Sequence, residues 1–443
     1  MNYLDVRFEG FDKRVGCLRR ENAGAVSFIY DELYLKLEDA MPLSLSLPLQ
    51  EQPFSDYVSK AYFHNLLPEN DQYDLVRQRE GLESDDVYGL LYHLGADCSG
   101  AVSCLPAGSP PMKVPGVLST DYDFLEPALV EDIVKRLANR QSLPDGLADP
   151  SPVAGVQKKI ALVATPDGQY ALPKEGRRVP TTHILKVPHR NYPLEARYEV
   201  AAAQLAQACG LDVAVPEYRE FGEYPAIIVS RYDRIFTMEG HISRIHQEDF
   251  AQALGLQNRL KYERNGGEKL KFDADAIVSI LLQCRQPAES IVSFLRATFF
   301  NLIIGNNDNH AKNHSLLYSR GATPTLAPLY DMVPVKLNDQ YTHELAFNIG
   351  NASFSEDLTV EDIFGFLAQF GVVDEDAMAF INGPILDLIQ VSEAMSGLVF
   401  QGLKKFDDLF GAEAERIIEL LDLPIELKER DYFEPKPRGW TMS

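Results

Sequence analysis

None of the five cysteines, Cys17, Cys98, Cys104, Cys209 and Cys284, belongs to a CxxC pair. That scatter argues against a zinc knuckle and against a disulfide framework, and fits a reducing compartment. No apolar run approaches the roughly 20 residues needed to span a bilayer. The opening Met1-Asn2-Tyr3-Leu4-Asp5 lacks the basic and apolar regions of a signal peptide. These absences predict a soluble, cytoplasmic protein with no membrane partner. Basic residues are scarce too: 42 Lys and Arg stand against 65 Asp and Glu, for a formal net charge of −23. Pairs such as Lys158–Lys159 and Arg177–Arg178 are the longest basic clusters. A field this acidic repels nucleic acid, so DNA contact needs a local patch or a basic partner. There is no internal repeat. What is present is apolar substance: 45% of 443 residues are hydrophobic, enough for two or three domains with cores.

Alternation along the chain separates strands from helices. Tyr3 to Phe8 and Ala25 to Tyr30 alternate as strands do, while Tyr57 to Leu67 and Tyr73 to Arg79 have helical spacing. Pro42 to Leu49 (PLSLSLPL) has period two, which predicts leucines on one face and Ser44 and Ser46 on the solvent face of a strand. Four prolines and two glycines between Pro106 and Gly116 rule out a helix or central strand and mark a boundary. Beyond it, Ile160 to Ala164, Gln169 to Leu172, Thr181 to Val187 and Ala226 to Ser230 are strand-like, and Pro193 to Cys209 is a helix. After about residue 240 nearly everything is helical in pattern: Gln247 to Leu254, Ala274 to Gln283, Ala288 to Ile304, Val360 to Phe370, Glu375 to Ile381, Pro384 to Met395 and Ala412 to Leu421. Gly383-Pro384 is expected to separate two of these helices. The pattern predicts an α+β protein with a mixed α/β N-terminal domain over 1–110, a second division over 117–240, and an all-α lobe over 241–443.

The chemistry concentrates in Gly305-Asn-Asn-Asp308-Asn-His310-Ala-Lys312-Asn313, a polar segment directly after an apolar helix. Asp308 and Asn313 stand as D-x-x-x-x-N. In kinases that spacing lets the Asp accept a hydroxyl proton while the Asn holds magnesium from the same turn. Eighteen residues on, Asp331 interrupts the apolar Leu329-Tyr330-Asp331-Met332-Val333. A buried carboxylate there needs a compensating cation, and a second magnesium ligand is the natural reason. Upstream, Lys186 lies in a strand, where a kinase lysine neutralises nucleotide phosphates; Glu199 on the next helix, or Glu195, would orient it. Val153 to Lys159 is a small-residue loop in which Gly155 lets backbone N–H groups approach phosphate oxygens.

Each piece has a plainer reading. The Asp308 segment could be an Asx-rich turn, Lys186 a solvent-facing strand lysine, Gly155 a turn glycine and Asp331 a backbone cap. His310 and His314 stand four apart and invite a metal reading, but that geometry needs a continuous helix, and the surrounding asparagines favour a loop. The order of the pieces, loop glycine, strand lysine, helix glutamate, Asp/Asn loop and second Asp, is that of a kinase.

The same motifs resemble the HipA family of bacterial toxin kinases. Pro42 to Leu49, Phe63 to Pro68 and Gly100-Ala-Val-Ser are similar to its N-terminal domain. Val153 to Gln157, Pro180 to Lys186, Arg231 to Arg234, Gln247-Glu-Asp249, Asp308 to Asn313 and Tyr330-Asp331 are similar to its kinase core. The resemblance covers nearly the whole chain and implies a two-lobed serine/threonine protein kinase using ATP and Mg2+. It implies Asp308 as catalytic base and Asn313 and Asp331 as magnesium ligands. The implied nucleotide-binding residues are Ala154, Gly155, Val156, Gln157, Lys158, Lys186, Ser230, Arg231, Tyr232, His310, Ala311, Lys312, Asn313, Tyr330 and Asp331. Of these, Ser230 to Tyr232 would form the lobe hinge, with Tyr232 against the adenine. The implied partners are a HipB-like helix-turn-helix antitoxin, operator DNA reached mainly through it, and a protein substrate such as an aminoacyl-tRNA synthetase. One position departs from the family. The serine whose autophosphorylation silences such kinases is Pro152 here, which has no hydroxyl. Ser151, one residue earlier, could substitute, or could simply belong to the Asp149-to-Pro152 turn.

Overall fold

The computed structural model describes residues 2–67, 71–144, 147 and 158–431. They fall into two compact units, each assembled from separated stretches of chain.

The first unit comprises Met1–Pro193, Glu217–Asn258 and Ser315–Pro324. Its N-terminal sheet is antiparallel, in the order Val26–Tyr30, Gly16–Arg20, Tyr3–Phe8, Val102–Pro106. Alternation predicts this arrangement: Val26, Phe28 and Tyr30 are buried, and the residues between them are partly exposed. A six-stranded sheet follows, in the order Pro216–Phe221, Tyr224–Ser230, His183–Val187, Lys158–Ala164, Tyr170–Pro173, Tyr122–Phe124. Ile160, Leu162, Leu185 and Val187 form one core with Ile133, Val134 and Leu137 of the Pro127–Ala138 helix. Each such side chain removed from water contributes roughly 1.5–3 kcal/mol, so the strand bearing Lys186 sits on a rigid floor.

Two expectations fail in this unit. Pro42 to Leu49 is no strand with exposed serines. Ser44 is fully buried and donates to the Gln252 carbonyl at 3.2 Å, and Ser46 donates to the same oxygen at 2.7 Å. Period two shows alternation but not which face meets water, and here the polar face meets a backbone acceptor. Gln247 to Leu254 is not one helix either. His246–Asp249 is a strand paired with Ser315–Tyr318, and Asp249 then caps a short helix, Phe250–Ala253, through a capping box with Gln252. Tertiary pairing overrides local spacing in a segment this short.

The second unit comprises Leu194–Pro216, Arg259–His314 and Thr325–Ser443, and it is built from helices. Its centre is Pro287–Ile303, which begins with Pro in its first turn and buries Phe294, Leu295, Phe299, Phe300 and Ile303. Gly305 ends it in a left-handed conformation (φ 70°), and a Cβ there would lie 2.8 Å from Leu409. Only glycine meets both conditions, so the polar loop leaves the core at a fixed point. Gly383-Pro384 does not separate two helices. A π-helical turn over Ile381–Ile385 accommodates the proline and runs into Leu386–Val399, because the wider turn dispenses with the hydrogen bond that proline cannot donate. The five cysteines are buried thiols. Among the described residues no helix is long and apolar enough to cross a membrane.

Candidate functional site

In the helical unit, the loop after Gly305 folds on itself. Asn313 donates from Nδ2 to the Asp308 carbonyl at 2.8 Å, and the His310 N–H donates to the same oxygen at 3.0 Å. The Asn313 N–H closes a turn on the His310 carbonyl at 2.8 Å. D-x-x-x-x-N thus brings the two side chains to one turn. Behind them Asn306 donates to Asn301 Oδ1 at 2.9 Å, and Asn307 donates to the His343 carbonyl. The Tyr330 hydroxyl donates to the Lys312 carbonyl at 2.8 Å, tying the segment that carries Asp331 to the loop.

Asp308 is half-buried, and burial raises its proton affinity above that of an ordinary carboxyl. Asp331 adds to the rise, while the Tyr262 hydroxyl, Lys261 and Arg264 oppose it. Tyr262 donates to Asp308 Oδ1 at 2.6 Å. Asp331, expected to be buried in a strand-like run, lies outside any strand and is exposed, with left-handed backbone (φ 57°). Strained backbone at a non-glycine residue is a common mark of functional sites, and an exposed carboxylate there needs no buried counter-cation. Asp308, Asn313 and Asp331 offer only oxygen donors, two carboxylates and an amide carbonyl. That set suits Mg2+, which keeps several waters and takes one or two protein carboxylates.

His310 and His314 are buried against aromatic rings. Burial lowers the imidazole of His310 to about 3 and that of His314 to about 4, so both are neutral near pH 7. His310 meets the Tyr262 ring edge-on at 5.1 Å, and His314 lies 5.0 Å from Phe294. Among the described residues no group of three or more His, Cys, Asp and Glu is arranged to hold a metal ion. Ala311 is buried, and its N–H donates to the Lys261 carbonyl at 3.0 Å. Glu199 is buried on the Glu195–Ala208 helix, one turn beyond the half-buried Glu195.

In the first unit, Lys186 is half-buried in the His183–Val187 strand, between Ile227 and Lys159 of its neighbours, with Lys158 at the adjoining register position. Ser230 ends the next strand opposite His183, and the Arg231 N–H donates to the Thr182 carbonyl at 2.9 Å. Arg231 binds Asp233 through two bonds, at 3.0 and 2.9 Å, and Arg234 binds the same carboxylate at 2.6 Å. Burial opposes the Asp233 charge, but the two guanidinium groups outweigh it and hold that carboxyl far below its usual range. Tyr232 donates to Gln247 Oε1 at 2.7 Å, and Gln247 donates to Asp233 Oδ2 at 3.1 Å. Ser151 and the loop Ala154, Gly155, Val156 and Gln157 lie outside the described residues.

Sequence reasoning missed Tyr262 and Lys261 as site neighbours. Tyr262 lies 46 residues before Asp308, beyond any local spacing rule. A Lys-Tyr-Glu string in a polar stretch carries no signal of its own.

Comparison with known proteins places these features. Residues 4–105 match the HipA N-terminal domain and residues 151–385 the HipA-like C-terminal domain. The Y4mE protein of Sinorhizobium fredii is 34% identical over 369 residues, covering 83% of this chain and 86% of that protein. The serine/threonine-protein kinase toxin HipA of Shewanella oneidensis is 29% identical over 349 residues, 76% of each chain. Among solved structures, the Shewanella oneidensis MR-1 toxin–antitoxin complex of HipA, HipB and operator DNA gives a TM-score of 0.76 at 23% identity, covering 95% of this chain and 98% of its counterpart. That likeness concerns the fold: a mixed α/β N-terminal region with several sheets and an all-α C-terminal region, as in a two-lobed kinase-like protein. With two domain matches that together span most of its length, the chain belongs to the HipA family.

Proposed function

We propose that the protein is a Mg-ATP-dependent serine/threonine protein kinase and the toxin of a HipA/HipB-like module. The observation that carries this reading is the Asp308 turn. A half-buried carboxylate of raised proton affinity is held by a tyrosine hydroxyl, on a turn that Asn313 closes through the Asp308 main-chain carbonyl, in a domain of the HipA-like C-terminal family. In this reading Asp308 receives the proton of a protein hydroxyl as that oxygen attacks the γ-phosphorus of ATP. Asn313 and Asp331 hold magnesium, which supplies positive charge against the phosphate oxygens when bound. Lys186 pairs with nucleotide phosphates, oriented by Glu199, and the Ala154-to-Lys158 loop lends backbone donors. Ser230 to Tyr232 form the hinge beside the adenine, with residues 117–240 as the N-lobe and 241–443 as the C-lobe.

The toxin role rests on family membership and on the complex known for the Shewanella relative. A formal charge of −23 fits a protein that reaches operator DNA through a basic antitoxin. The proposed target is a translation component such as an aminoacyl-tRNA synthetase, and Ser151 is the proposed site of any autophosphorylation.

The test is transfer of label from γ-32P-ATP with magnesium to protein in a host lysate. Wild type is expected to label a protein band, and Asp308→Asn to label none. Label recovered only in a soluble metabolite would make this a small-molecule kinase, and full activity in Asp308→Asn would remove the assigned base.

A further inference from the structure

Tyr262 is fixed by two sets of contacts that do not involve its hydroxyl. Its backbone neighbours are anchored on both sides: the Lys261 carbonyl accepts from Ala311 of the catalytic turn at 3.0 Å, and the Glu263 N–H donates to the Ala346 carbonyl, outside that turn, at 2.9 Å. Glu263 Oε2 accepts from the Asn348 N–H at 2.6 Å. The ring is held separately. The Arg264 guanidinium lies 4.0 Å from its centroid, Lys261 Nζ 5.6 Å, and the His310 ring 5.1 Å at 79°. Such cation–π and edge-on contacts act on the ring and survive removal of the hydroxyl. The hydroxyl itself points to chemistry, donating to Asp308 Oδ1 at 2.6 Å.

We propose that Tyr262 is a positioning residue for Asp308: its hydroxyl holds Oδ1, fixes the plane of the carboxylate, and leaves Oδ2 to face the substrate hydroxyl. The terminal torsion of an aspartate is broad, so an unrestrained carboxylate samples many planes. A base works only within hydrogen-bond reach and in the right orientation, and misplacement by about 1 Å costs on the order of 10²-fold in rate. In the step this serves, the substrate O–H proton passes to Oδ2 of Asp308. The oxygen's electron pair forms the new O–P bond, and the bond from the γ-phosphorus to the ADP oxygen breaks with its pair leaving on ADP. The inference rests on the kinase reading above.

The experiment uses the full chain at neutral pH and compares wild type, Tyr262→Phe and Tyr262→3-fluorotyrosine. The Phe variant keeps the ring contacts, so its thermal midpoint and its KM for ATP are expected to stay within experimental scatter and within about twofold, while kcat falls by about tenfold to a hundredfold. The fluorinated ring keeps its hydroxyl and is expected to retain kcat within about twofold. Wild-type kcat in Tyr262→Phe, or an equal loss in both variants, overturns the positioning role. Absence of transfer by wild type overturns the kinase reading and this inference with it. A readout independent of activity uses the 19F resonance of the fluorinated ring. Asp308→Ala is expected to shift that resonance, and an unmoved signal overturns the contact.

Discussion

The side-chain amide of Asn313 donates to the backbone carbonyl of Asp308 at 2.8 Å, so the residue read as a magnesium ligand also shapes the turn that carries the base. Its nitrogen is engaged by the turn, and its oxygen is the atom a cation would use. Replacing it removes both functions. Asn313→Ala is expected to lower kcat/KM at least about tenfold and to raise the magnesium concentration for half-maximal transfer. A magnesium titration of phosphoryl transfer checks this; an unchanged half-maximal concentration would leave Asn313 with the turn alone.

Stability in the helical unit should be unusually sensitive at Lys336. Its ammonium is fully buried and donates to Ser355 Oγ at 2.5 Å, Glu356 Oε1 at 2.6 Å and Glu413 Oε1 at 2.9 Å. Its backbone N–H also donates to the Gly305 carbonyl at 3.1 Å, where the loop begins. Lys336→Met removes the ammonium closest to the buried Glu413 carboxylate and leaves it the more distant Arg416, at 3.7 Å, at a cost of roughly 3 kcal/mol. Glu356→Gln should cost clearly less, because that side chain retains 28% of its exposure. Urea denaturation of both variants gives the order, and a reversed order refutes the argument.

Glu248 sets a pH dependence. Its carboxyl is buried in the first unit, where Oε1 accepts from the Leu45 N–H at 3.0 Å and from the Tyr318 hydroxyl. Burial pushes it up to about 7 from the ordinary 4.5, with Asp249 adding to the rise and the hydrogen bonds from Ser44, Tyr318 and Leu45 opposing it. A raised acid binds its proton more tightly when folded. Its stabilising effect is therefore complete below pH 4.5 and is lost as pH rises through about 7. Glu248→Gln keeps an oxygen acceptor and removes the charge. Relative to wild type, the variant should gain stability between pH 5 and 8, reaching roughly 3 kcal/mol at the upper end. Denaturation midpoints at both pH values measure the difference, and parallel curves contradict it.

Gln247 bridges Tyr232 and Asp233, so it should act on nucleotide affinity. Gln247→Leu removes the Gln247 acceptor from the Tyr232 hydroxyl while leaving Asp233 paired with Arg231 and Arg234. On the proposal that Tyr232 lies against the adenine, the expected outcome is a several-fold higher KM for ATP and a kcat within about twofold. Initial-rate kinetics over a range of ATP concentrations decide it. An unchanged KM would remove Tyr232 from the nucleotide site.

Much of this was legible because local chemistry repeats. Val26 to Tyr30 and His183 to Val187 alternate as strands must, and proline opens the Pro287–Ile303 helix while glycine closes it. D-x-x-x-x-N requires only one turn of chain to bring Asp308 and Asn313 together. Illegible were the features set by partners far along the chain. Ser44, which is buried, and Ser46, which is half-buried, donate to a backbone carbonyl about two hundred residues away, and His246–Asp249 is a strand because Ser315–Tyr318 pairs with it. Asp331 was expected to be buried from its apolar neighbours, yet its left-handed backbone leaves the carboxylate exposed.

By itself, then, the sequence determined strands such as Val26–Tyr30 and His183–Val187, the helix Pro287–Ile303, the excess of acid over base, and the spacing that makes one turn of Asp308 and Asn313. These depend on residues a few positions apart and on composition, which folding does not alter. Tertiary structure alone decided that Tyr262 meets Asp308, that Glu248 is buried with a raised proton affinity, and that His310 and His314 lie against aromatic rings. Those outcomes depend on desolvation and on contacts between distant segments, and neither exists until the chain has folded.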